Sequence, residues 1–176
     1  MSRPRIYLSS PHMSEEGYEL EFIKEAFASN WIAPVGPNVN AFEQEFGDYL
    51  GGDLHCAAVG SGTAALHLSI VLLGVERGDR VICSSFTFIA SANPIIYQGG
   101  EPIFVDSDAR TWNMDPNALE DALKACSKAG RMPKAVMSVD ILGQSADNKP
   151  ISDICDKYGV PMIEDAAEAL GASYHV

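Results

Sequence analysis

The chain has 176 residues, enough for one ordinary domain, and its 47% hydrophobic content excludes a largely disordered polymer. A formal net charge of −12 disfavours nucleic-acid or anionic-membrane partners, because a phosphate surface would be repelled, and any anionic ligand would need donors gathered locally. Cys56, Cys83, Cys126 and Cys155 lack C-x-x-C spacing and sit in apolar or helical surroundings, which points to reduced thiols and away from a metal site. The basic start Met1-Ser2-Arg3-Pro4-Arg5 leads into no signal-peptide core, and the apolar stretches are too broken to span a bilayer. A soluble, cytoplasmic protein is expected.

In chain order, Ile6 to His12 reads as an extended lead, and Ser14 with Glu15 and Glu16 opens an amphipathic helix reaching about Asn30, with Leu20, Ile23, Ala26 and Phe27 on one face. Trp31 to Pro37 is an apolar loop kept irregular by its prolines and glycine; exposing Trp31 and Ile32 would be wasteful, so it is expected to cover something. A second helix spans Val39 to Leu50 and stops at Gly51-Gly52. From there strands and helices alternate. Strands are expected at His55–Val59, Arg80–Ser84, Pro102–Asp106, Lys134–Asp140 and Val160–Glu164, with helices at Ala64–Leu73, after Phe88 to Gln98, from Asp115-Pro116 to Lys128, and at Ile151–Tyr158. Such alternation predicts an α/β fold, a parallel sheet joined by helical crossovers. Residues 1–50 are expected to form an amino-terminal helical segment and 51–176 the sheet domain.

In parallel sheets ligands bind outside the carboxyl ends of the strands, so the residues placed there carry the functional argument. Gly60-Ser61-Gly62-Thr63 joins a strand to a helix, offering free amides to an anion or serving only a tight turn, with Thr63 as a plain cap. Phe86 and Phe88 follow the second strand, as a ligand platform or as core filler. Asp140 and Gln144 follow the fourth. Asp165 ends the fifth, as a ligand group or as the cap of a following helix, with Glu168 three residues on and on the same face if that helix forms. An anion turn, an aromatic ring and a buried carboxylate at one sheet edge form the set that pyridoxal phosphate (PLP) needs: amides for its phosphate, a face for its ring, and an acid for its pyridinium nitrogen.

Three stretches, Thr63-Ala64-Ala65-Leu66-His67-Leu68, Ser85-Phe86-Thr87-Phe88-Ile89-Ala90 and Glu164-Asp165-Ala166-Ala167-Glu168-Ala169-Leu170-Gly171, resemble the leading motifs of the DegT/DnrJ/EryC1/StrS nucleotide-sugar aminotransferases. The opening, Pro11-His12-Met13 and Ser29-Asn30-Trp31-Ile32-Ala33-Pro34, is similar to the branch that makes 4-amino sugars for UDP-bacillosamine and protein glycosylation. The resemblance implies a partial type I PLP-dependent transferase large domain of the aspartate aminotransferase kind. Its sheet is mostly parallel, with helices on both faces. It further implies that Gly62, Thr63 and Ala64 hold the cofactor phosphate, that Phe88 stacks on the ring, that Asp165 pairs with the ring nitrogen, and that Glu168 lies near the ring hydroxyl. Leu142 stands where relatives often have Tyr.

The implied reaction moves an amino group from glutamate to the 4-keto group of a UDP-linked 6-deoxy-N-acetylhexosamine, in a homodimer. The family's Schiff-base lysine follows the Asp165 motif by two to three dozen positions; Lys134, Lys149 and Lys157 precede it and match no family lysine. The chain is therefore expected to be an amino-terminal fragment, inactive alone, without the later strands and the small domain. The implied sheet order, first-seventh-sixth-fifth-fourth-second-third, would leave a gap between His55–Val59 and Pro161–Glu164. The alternatives are a sugar 3-dehydratase with histidine in place of the lysine, a non-catalytic remnant, and a plain nucleotide-binding module. The last is disfavoured because Gly60-Ser61-Gly62-Thr63-Ala64-Ala65 breaks the G-x-G-x-x-G pattern.

Overall fold

The structure, a computed structural model, describes residues 13–175, so the expected lead Ile6–His12 lies outside the described residues. The chain divides into two compact units after Ala58. In the first, α1 (Tyr18–Ala28) starts four residues later than the sequence suggests, because Ser14 Oγ accepts from the Gly17 and Tyr18 amides and closes a turn ahead of it. Its apolar face, Leu20, Ile23 and Phe27, is exposed. The Trp31 loop folds on itself: a Cβ at Gly36, where φ is +138°, would lie 2.8 Å from Trp31 Cε3. Helix α2 (Pro37–Tyr49) stacks Phe42 on Phe46 at 5.7 Å and ends at Gly51 and Gly52, both with positive φ.

The expected strand His55–Val59 is not one. These residues form no ladder, although the Ala58 amide is taken by Glu43 Oε1 at 2.7 Å. An apolar run becomes a strand only where another strand offers backbone partners, and none of the described strands does so here.

The second unit carries the sheet. After α3 (Gly62–Leu72) come β1 (Arg80–Ser84), a 3₁₀ turn (Ile89–Ser91), α4 (Asn93–Tyr97), β2 (Glu101–Val105), α5 (Pro116–Lys128), β3 (Ala135–Val139), α6 (Asn148–Tyr158) and β4 (Met162–Asp165). The helix expected from Phe88 to Gln98 is therefore split, with the proline at its second α-helical position. Asp115 caps α5 by accepting from the Asn117 amide at 2.8 Å. The four strands are all parallel in the order β2-β1-β3-β4, with Ile82 opposite both Ile103 and Val136, and Val139 opposite Asp165. In the order implied by the family resemblance this is third-second-fourth-fifth.

Period-2 alternation explains why both sheet faces are covered. Ile82 and Val136 point to one side, where Leu119 and Leu123 of α5 and Ile151 and Cys155 of α6 close over them. Val81, Cys83, Ala135 and Met137 point to the other, against Leu66 and Ile70 of α3 and Ile95 of α4. Strand β3 is buried throughout, as the centre of such a sandwich must be. All four cysteines are free, and burial pushes the Cys155 thiol up to about 11. Among the described residues no helix is long and apolar enough to cross a membrane.

On β4, Glu164 is held above its ordinary 4.5 by burial first, then by a hydrogen bond with Asp140 and that neighbour's negative charge, while Asn148 Nδ2, donating at 2.8 Å, opposes the shift. The folded chain thus binds this proton more tightly than the unfolded chain does. The associated stability is fully present below that ordinary, unfolded value and is lost as pH rises through the raised folded value.

Two outcomes are expected. Leu123→Ala should cost about 2–5 kcal/mol in urea unfolding, whereas Leu72→Ala, at a side chain 76% exposed, should stay within about 0.5 kcal/mol. Glu164→Gln should flatten the fall in urea midpoint between about pH 4 and pH 7 relative to the parent protein; identical midpoint profiles for the two proteins would contradict the assignment.

Candidate functional site

Parallel strands bring their carboxyl ends to one edge, and the connections leaving β1, β3 and β4 meet the amino end of α3 there. A cavity of about 250 Å³ opens among them, lined by Gly62 and Thr63 of α3, Thr87, Phe88 and Ala90 after β1, Asp140 and Ile141 after β3, and Asp165 and Glu168 at and after β4. Five of the six residues singled out from the sequence, Gly62, Thr63, Phe88, Asp165 and Glu168, therefore share one cavity. Ala64 is not among its lining residues. Its amide is already satisfied by Ser61 Oγ at 3.1 Å, the N-cap of α3, which leaves Gly62 and Thr63 as the amides turned out of the helix. A Cβ placed at Gly60 or Gly62 would meet nothing within 4 Å, so this turn is open to an approaching group and not closed by tight packing.

The Phe88 side chain is 75% exposed at the cavity wall, and Phe86 is 44% exposed with its ring edge-on to Trp112 at 5.6 Å, so neither fills the core. Asp165 caps no helix: residues 166–175 form none, with turns only at 167–168 and 170–171, and the one local contact of its carboxylate is Oδ1 with the Ala167 amide at 3.4 Å. Its Oδ2 instead accepts from Ser91 Oγ at 2.6 Å. Beneath it, burial pushes the Cys83 thiol up to about 12, with the Asp165 charge adding to the shift, so that thiol brings no second negative charge to the site.

Glu168 is not placed by a helix either. Its Oε2 accepts from the Leu142 amide at 2.5 Å, tying the β4 exit to the β3 exit. That contact holds Leu142 at φ +56°, a left-handed conformation that costs a non-glycine residue on the order of 1 kcal/mol. At the next position a Cβ on Gly143 would lie 3.1 Å from the Glu168 carbonyl. The same loop is braced from behind by buried Asn113, whose Oδ1 accepts from the Ile141 amide at 3.0 Å and whose Nδ2 donates to the Gln144 carbonyl at 2.7 Å. Asp140 serves the backbone: its Oδ1 accepts from the Ala146 amide at 2.8 Å and its amide donates to the Asp165 carbonyl at 3.0 Å.

Sequence reasoning missed Thr87, Ser91 and Asn113. The signal for the first two was present: two hydroxyls four residues apart inside an otherwise apolar stretch are too expensive to bury unless they are bonded. Two outward amides at a helix amino end, an exposed ring and a carboxylate around one small cavity form a donor set that fits a flat aromatic group with an anion at one end and a protonated ring nitrogen at the other.

Comparison with known proteins agrees with this chemistry. EpsN of Bacillus subtilis (strain 168) is 56% identical over 170 residues, covering 97% of this chain and 43% of EpsN. GDP-perosamine synthase of Caulobacter vibrioides is 40% identical over 171 residues, covering 97% of this chain and 44% of the synthase. The chain thus spans less than half the length of these relatives. Among solved structures, Spr1654 from Streptococcus pneumoniae in its PLP-form superposes with a TM-score of 0.83 at 27% identity, over 96% of this chain and 44% of that one. Residues 13–176 match one family throughout, and the chain belongs to the DegT/DnrJ/EryC1/StrS aminotransferase family.

Proposed function

We propose that this chain supplies the cofactor-holding part of a PLP-dependent aminotransferase acting on a nucleotide-linked keto sugar. The observation that carries the reading is the convergence of Gly62, Thr63, Phe88 and Asp165 on one cavity. In this reading the Gly62 and Thr63 amides, at the positive end of α3, hold the phosphate. Phe88 covers one ring face and excludes water from it. Asp165 stands opposite the ring nitrogen and keeps a proton on it, while Glu168 lies toward the ring hydroxyl and fixes the β3 exit. Ala64 contributes helix rather than a phosphate contact. When bound, PLP supplies an electron sink that stabilises negative charge beside the amine being transferred.

Among the described residues no lysine lines the cavity. Lys149 pairs with Asp153, Lys157 with Glu120 and Lys134 with Asp79, all at the surface, so the amine implied by the family resemblance is assigned to none of them. We assign the amino donor as glutamate and the acceptor as a UDP-linked 4-keto-6-deoxy-N-acetylhexosamine, which rests on the opening motif around Trp31. A GDP-linked keto sugar is the second reading, favoured by the likeness to GDP-perosamine synthase. A homodimer is the proposed assembly. The exposed apolar residues Leu68, Val71 and Leu72 of α3 with Ile96 and Tyr97 of α4 support it.

In the full-length protein, Asp165→Ala is expected to lower amino transfer by on the order of 10²–10⁴-fold, since removing one partner of a charge pair in a cavity costs about 3–5 kcal/mol. Asp153→Ala, at an exposed residue paired with Lys149, should leave turnover within about twofold. Assays with UDP-linked and GDP-linked 4-keto sugars separate the two acceptors, and unimpaired turnover in Asp165→Ala would refute the role given to that residue.

A further inference from the structure

We propose that Ser91 is a positioning residue that holds the Asp165 carboxylate in its working pose, with Thr87 holding Ser91 in turn; this rests on the reading of Asp165 as the partner of the ring nitrogen. Ser91 is fully buried at the end of the 3₁₀ turn after β1, yet it is 74 positions from the aspartate that it touches. Its Oγ lies 2.6 Å from Asp165 Oδ2 and 2.7 Å from Thr87 Oγ1.

The directions of these bonds follow from proton counting. An ionised carboxylate only accepts, so the single hydroxyl hydrogen of Ser91 goes to Asp165. Ser91 then has only a lone pair to offer Thr87, and Thr87 must donate. Its longer contact to the Phe88 carbonyl, 3.3 Å, gives way to the shorter one. The result is a one-way chain, Thr87 to Ser91 to Asp165. Thr87 and Asp165 both line the cavity, whereas Ser91 does not. A bond to an ionised acceptor is about twice as strong as a neutral one, and the upstream donor polarises it further. One carboxylate oxygen is therefore fixed from within the fold. The other, held only by the 3.4 Å contact to the Ala167 amide, remains for the ligand. No competing role for the Ser91 hydroxyl is present, because both of its polar contacts belong to this chain of bonds.

The test compares PLP with its 1-deaza analogue, in which a C–H replaces the ring nitrogen, in equilibrium binding to the full-length protein. The parent protein should prefer PLP. Ser91→Ala should reduce that preference about tenfold with little change in affinity for the analogue, and Thr87→Val should reduce it about threefold. Equal losses for both ligands, or an unchanged preference, would overturn the proposal. If Ser91→Ala fails to fold, Thr87→Val reads the same ratio by the same criteria. Crystal structures without cofactor provide the arm that is independent of the Asp165 reading: in Ser91→Ala the carboxylate should leave its pose, and its retention there would overturn the proposal. A parent protein that binds both ligands equally would instead refute the role of Asp165, leaving the cofactor-free structures to decide the role of Ser91.

Discussion

The pairing of Val139 with Asp165 in the β3–β4 ladder is the constraint on which the site depends. Shifting that register by one residue would turn Asp165 to the opposite face and bring Glu164 or Ala166 to its place. The register is held from both sides. The Asp140 amide donates to the Asp165 carbonyl, and the Glu168 carboxylate reaches back to the Leu142 amide. A backbone bond and a charged side chain thus fasten the same two strand exits. The position of the carboxylate in the cavity is set by the sheet, and its orientation by Ser91.

The sheet can set positions so firmly because its middle is buried on both faces. Alternate residues of β1 and β3 enter different cores, one closed by α5 and α6 and the other by α3 and α4. The second of these cores also positions the Gly60–Thr63 turn, since Leu66 and Ile70 anchor α3 against Val81 and Met137 and so fix where its amino end emerges. Core packing and site geometry are therefore the same set of contacts seen from two ends. Outward amides and an uncrowded turn are useful to an anion only if the helix that carries them cannot drift.

Much of this was legible in the sequence, and the misreadings have physical causes. Arg80–Ser84 has the boundaries its apolar run suggests, because a short buried β-branched run flanked by polar residues has few other solutions. His55–Val59 carries a similar pattern but forms no strand: composition reports burial preference, while a strand also requires a partner ladder. Glu168 shares the cavity with Asp165, but through a turn and a backbone bond to Leu142 and not through a helical face. Ala64 belongs to the recognised turn motif, yet Ser61 takes its amide first, a capping bond that spacing alone does not reveal. Asn113 escaped notice because its partners lie 28 or more positions away, and long-range polar contacts leave no periodic trace; the Ser91 hydroxyl stood out in its apolar stretch, but its partner, 74 positions away, did not.

In the reading proposed above, one cavity at the carboxyl edge holds both ends of one cofactor. A crystal structure of the full-length protein with PLP tests it most directly. The phosphate is expected within hydrogen-bond distance of the Gly62 and Thr63 amides, with the ring against Phe88 and its nitrogen facing the Asp165 carboxylate. A cofactor bound elsewhere, or bound there with its phosphate away from the α3 amino end and its nitrogen away from Asp165, would contradict it.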